Sequence, residues 1–100
     1  MFRIRESDIH LTRLQTRFPA KYGIVSMTGC PHVFVRVRVE IGGRMFTGIA
    51  ADNLPPKWFK KDPGQPIPEE TDEMLSVVVH AAEACIGMTG VNAFDLARQI

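Results

Sequence analysis

The sequence predicts an α+β domain in which a three-stranded antiparallel sheet, a meander, is followed by helices. Three observations predict it. Val33, Val35, Val37, Val39 and Ile41 alternate with Phe34, Arg36, Arg38 and Glu40, which is the period of two of a strand with one buried face. Gly42-Gly43 then supplies the residues of a tight hairpin turn. Further on, Met74, Val77, Val78, Ala81, Ala82 and Cys85 recur at helical spacing behind the acidic residues Glu69, Glu70, Asp72 and Glu73.

In chain order, the first element is a strand over Ile9 to Arg17, whose alternation slips between Leu11 and Leu14 and predicts a bulge. The second is the valine strand. The third runs from Arg44 to Ala51, and a two-residue turn sets Ile41 opposite Arg44, Val39 opposite Phe46, Val37 opposite Gly48 and Val35 opposite Ala50. Phe46 thus joins the valine face, while Gly48 and Ala50 leave room on it. Between Asp52 and Pro68, Pro55, Pro56, Pro63, Pro66 and Pro68 remove backbone donors and predict an ordered or semi-rigid loop. The long helix follows and Gly87 terminates it. Asn92 caps a last helical segment, whose stripe of Phe94, Leu96, Ala97 and Ile100 stops without a cap; we expect the natural polypeptide to continue.

A chain of 100 residues that is 45% hydrophobic supports one domain with a modest core. Its net charge of +1 argues against nucleic acid, since that affinity needs a clustered excess of Lys and Arg. Cys30 and Cys85 make no disulfide framework, so a cytoplasmic, reducing setting is expected. The charged N-terminus, Met1 to Glu6, does not read as a signal peptide, and no run of about 18 apolar residues predicts a membrane span.

Four words carry a family resemblance: Thr12-Arg13-Leu14-Gln15-Thr16-Arg17-Phe18-Pro19, Lys21-Tyr22-Gly23-Ile24, Pro31-His32-Val33-Phe34-Val35-Arg36-Val37 and Ala51-Asp52-Asn53-Leu54-Pro55-Pro56-Lys57-Trp58-Phe59. With the order of elements, they resemble the N-terminal capping domain of the enolase superfamily, in its mandelate racemase and muconate lactonizing branch. The resemblance covers residues 1–100 as a single capping domain whose C-terminal helical part is cut short. It implies two loops that cover the mouth of a barrel domain of the same polypeptide, mapped here to Pro19–Pro31 and Ala51–Phe59.

It also implies that Lys21, Tyr22, Met27, Asp52, Leu54, Lys57 and Trp58 cover and contact a small carboxylate substrate. The family's chemistry is proton abstraction next to a carboxylate, with Mg²⁺ stabilising the intermediate, a case that is general for these enzymes. Both base and metal ligands come from barrel strands, so neither a catalytic residue nor a metal ligand is assigned in this chain. Ile49-Ala50-Ala51-Asp52 stands where many members carry Gly-Glu-Ala, which leaves racemase, dehydratase and cycloisomerase all open. A homo-oligomer of the full-length enzyme is compatible with this reading.

Other features read more plainly. Lys60-Lys61-Asp62 is an exposed loop. His10, His32 and His80 lack ligand spacing, Arg36 and Arg38 share their face with Glu40 and suit a solvated surface, and Cys30 has no assignable base. The rival to the cap is a free-standing α+β interaction module that binds a protein partner through its proline-rich loop.

Overall fold

The computed structural model describes residues 1–22, 25–57 and 64–100. Strands β1 (Phe2–Tyr22), β2 (Val25–Ile41) and β3 (Arg44–Asn53) are followed by helix α1 (Ile67–Ala84), the short strand β4 (Thr89–Gly90) and helix α2 (Ala93–Arg98). The class is α+β, with an antiparallel sheet in the order β3-β2-β1-β4.

The hairpin register is the one the turn chemistry demands. Gly42 and Gly43 take φ of 57° and 78°, the left-handed pair of a type I′ turn, and Ile41 faces Arg44, Val39 Phe46, Val37 Gly48 and Val35 Ala50. The sheet has four strands where three were expected. Thr89–Gly90 adds to β1 by pairing Arg3 with Thr89 and Phe2 with Gly90, and two residues are too few to show any alternation.

The first expected loop, Pro19–Pro31, is largely strand. β1 continues to Tyr22 and β2 begins at Val25, so that Tyr22 faces Val25, Lys21 faces Ser26 and Ala20 faces Met27. The backbone of this polar stretch is satisfied by its antiparallel neighbour, which needs no alternating side chains. Pro19 falls in the irregularity between Gln15 and Ala20, where its missing N–H costs no ladder bond. The bulge expected between Leu11 and Leu14 is absent: both keep register, opposite Val33 and Cys30, and the shifts lie at Ile4/Glu6 and Gln15/Ala20. An unbroken strand puts Leu11 and Leu14 on opposite faces, and each is about half exposed.

α1 is preceded by Pro66 and carries Glu69 and Glu70 in its first turn; Asp72 and Glu73 lie beyond it. At its other end Cys85 caps the helix and Gly87, with φ of 87°, turns the chain back. Gly87 N–H then donates to Ile4 O and Ile4 N–H to Met88 O, which ties the return segment to β1. Here Ile4, Cys85 and Leu96 form a buried cluster, flanked by Phe2 and Met88. α2 approaches β4 so closely that a Cβ on Gly90 would sit 2.9 Å from Leu96 Cγ.

A second set of buried residues, Cys30, Val33 and Leu54, lies further along β2 and just past β3. Much of the expected apolar stripe is left open: Val77 is 68% exposed, Phe94 78% and Ile100 64%. The molecule is elongated. Its radius of gyration is 16.2 Å, against roughly 13 Å for a compact chain of this length. No helix among the described residues is long and apolar enough to cross a membrane.

Two predictions follow from this packing. Ile4→Ala truncates a buried side chain of the Ile4–Cys85–Leu96 cluster and should cost about 2–4 kcal/mol, read as a lower urea midpoint; an unchanged midpoint would show that the cluster contributes little. In α2, Asn92 Oδ1 accepts from Asp95 N–H at 2.8 Å. The Asp95 carboxylate accepts from Arg98 and from Val91 N–H, and these two bonds hold its pKa below the ordinary carboxylate value. The group with the lower pKa in the folded state stabilises that state above the unfolded value, about 3.9, and the contribution disappears as pH falls through the folded value. NMR titration of the Val91 amide should therefore show a midpoint below 3.9, moving up in Arg98→Ala.

Candidate functional site

Where β3 ends, the chain is pulled back onto β2. Leu54 N–H donates to Pro31 O at 2.9 Å, and His32 Nδ1 lies 2.6 Å from Asn53 Oδ1, which puts the ring proton on Nδ1. Leu54, Pro56 and Lys57 are all buried, so this proline-containing segment is packed down and not looped into solvent.

Lys57 is the pivot of the segment. Its φ of 58° is a left-handed conformation that costs a lysine side chain roughly a kcal/mol or more. Glu70, only 1% exposed, offsets that cost from the first turn of α1. Its Oε1 accepts from Lys57 N–H at 2.5 Å, and its Oε2 lies 3.1 Å from Lys57 Nζ as an ion pair whose angles fall outside those of a hydrogen bond. Lys57 Nζ also donates to Gln65 O at 2.6 Å. One carboxylate therefore fixes both the backbone and the charge of Lys57, while Gln65 O, just ahead of the helix, accepts a hydrogen bond from the ammonium.

The end of the β1–β2 hairpin closes onto the same place. Tyr22 OH donates to Pro56 O at 2.7 Å and lies 3.9 Å from Met27 Sδ. Burial first, then electrostatic repulsion from the neighbouring Cys30 and Glu70, raises the Tyr22 pKa above the ordinary phenol value. The phenol thus keeps its proton and remains a donor to Pro56.

Beside this lock, between α1 and the strands β2 and β3, lies an open cleft of about 450 Å³. Val33, Leu54, Met74, Val77 and Val78 make it apolar, and Asp52 and Glu73 are among its acidic lining.

The structure thus gathers the expected covering residues into two adjoining groups. Tyr22, Met27 and Lys57 meet at the lock, and Asp52 and Leu54 line the cleft. Lys57 turns its ammonium inward to Glu70 and Gln65. Lys21 is exposed on β1 next to Tyr22, and Trp58 lies outside the described residues, as does Lys60-Lys61-Asp62.

Glu70 and Gln65 are the participants that sequence reasoning missed. Four clustered acidic residues read as a charged helix start, and nothing in their spacing marked Glu70 as the one turned inward. Among the described residues no group of three or more His, Cys, Asp or Glu side chains is arranged to hold a metal ion. The charges on the opposite face of the sheet are paired across strands, Asp8 with Arg36 and Glu40 with Arg5. No family model, curated protein or solved structure matches the chain.

Removing the Glu70 carboxylate strands a buried ammonium and releases a left-handed backbone at once. Glu70→Ala should lower stability by about 3–5 kcal/mol, measured by denaturant unfolding. A loss below 1 kcal/mol would mean that Lys57 simply swings into water.

Proposed function

We propose that this chain is a non-catalytic cap, the lid-bearing N-terminal part of a Mg²⁺-dependent enolase-superfamily enzyme that abstracts a proton next to the carboxylate of a small substrate. One observation carries the reading: the Tyr22–Pro56 hydrogen bond fastens the end of the first hairpin to the proline segment. These are the two stretches that the resemblance assigns to covering a substrate, and they act as one body only if they are joined. A joined pair excludes water from beneath it better than two independent loops do.

Uncovered apolar side chains support the same reading. Val77, Phe94 and Ile100 are mostly exposed, as expected of surface that packs against more protein. The residues described here do not fit a Mg²⁺ site, so in this reading the metal and the base belong to the barrel domain of the same polypeptide. This chain would contribute orientation and exclusion of solvent, through Tyr22, Met27, Asp52 and Leu54.

The test is proton exchange in D₂O with Mg²⁺ and a panel of small 2-substituted carboxylates, followed by loss of the α-proton NMR signal. The 100 residues alone should give no exchange above buffer, and the polypeptide encoded by the complete reading frame should give it. Exchange catalysed by the isolated chain would sink the cap assignment. A reading frame that closes at Ile100 would favour the free-standing interaction module.

A further inference from the structure

We infer that a second copy of this chain docks on the free edge of β3, strand against antiparallel strand, about a two-fold axis at Gly48. The inference goes beyond the cap reading and does not depend on it.

β3 is the terminal strand of the sheet, and among the described residues nothing pairs with its outer side. Every residue from Arg44 to Asn53 is exposed except Gly48, which is partly so. Edge strands are usually short, bulged or guarded by Lys or Pro, because their unpaired N–H and C=O groups template association. This one is ten residues long, keeps register with β2 throughout, and contains neither Lys nor Pro.

The hairpin decides which groups face outward. Ile41 and Arg44 flank a two-residue turn and so form a hydrogen-bonded pair, which directs the N–H and C=O of Arg44, Phe46, Gly48, Ala50 and Asp52 toward β2. Those of Met45, Thr47, Ile49 and Ala51 point to the open edge. A two-fold partner must set these odd-numbered residues opposite one another.

Centring on Gly48 does so, with Thr47 opposite Ile49 and Met45 opposite Ala51. The same register places Arg44 opposite Asp52 and Phe46 opposite Ala50. Arg44 and Asp52 are the only charged residues of the strand, and the two-fold axis makes their pairing occur twice. Neither belongs to an ion pair among the described residues. Moving the centre to Thr47 or Ile49 keeps the parity but sets Arg44 against Ala50, or Phe46 against Asp52. Charge complementarity therefore selects one register, a large side chain meets a small one beside the axis, and Gly48 leaves the axis itself unobstructed.

Sedimentation velocity and native mass spectrometry of the 100-residue chain, from micromolar to millimolar, should show a dimer whose population rises with concentration. Ile49→Pro removes an outward N–H and leaves the ladder to β2 intact, so it should abolish the dimer with an unchanged circular dichroism spectrum. Arg44→Asp should weaken association about tenfold or more, and the swap Arg44→Asp with Asp52→Arg should restore it. A monomer at every concentration would overturn the inference. So would a dimer that survives Ile49→Pro, or a charge swap as weak as the single variant.

Discussion

The buried pair of Lys57 and Glu70 is the constraint on which the candidate site depends. Burying an ammonium is costly unless its charge is paired, and here Glu70 Oε2 supplies the opposite charge while the Gln65 carbonyl accepts a hydrogen bond. The same carboxylate holds the Lys57 amide, so the pair also sustains a backbone conformation that a lysine seldom adopts. Because Glu70 belongs to α1 and Lys57 to the segment leaving β3, one carboxylate ties the helix directly to the proline segment.

That arrangement explains how a fold with so little core keeps its long hairpin in place. Ile4, Cys85 and Leu96 secure the end where β4 and α2 attach. At the other end, Leu54 is tied to Pro31 through the backbone and Tyr22 reaches Pro56, so hydrogen bonds do what apolar volume does elsewhere. Between the two, Ser7 Oγ donates to the carbonyl of Ala82 and pins α1 over β1. The surface charges add little by comparison, since exposed pairs such as Asp8–Arg36 are screened by solvent.

The apolar cleft and the polar lock beside it differ in what holds them together. The lock, with Tyr22, Lys57 and Glu70, sets the shape, and the cleft walls, with Leu54, Met74 and Val78, leave apolar surface for something to rest against. Val77 shows the consequence: it sits on the expected helix stripe, yet it is mostly exposed because β3 is not covered by α1.

The sequence by itself determined the local rules: the β2–β3 register, the left-handed glycines of its turn, the presence of α1 and the Asn92 cap. Each of these depends on neighbours a few residues apart, where alternation, helical spacing and backbone stereochemistry act directly. Of the residues expected to cover a substrate, Tyr22, Met27 and Lys57 come together at the lock and Asp52 and Leu54 at the cleft, a proximity that their separate sequence positions did not display. Only tertiary structure decided that Pro19–Pro31 is mostly strand, that Thr89–Gly90 joins the sheet, and that Glu70, of four similar acids, is the one buried. Those outcomes rest on partners distant in the chain: the N–H that Pro19 lacks is not needed where the ladder to β2 breaks, and a carboxylate leaves water only where a lysine 13 positions earlier brings it a compensating charge.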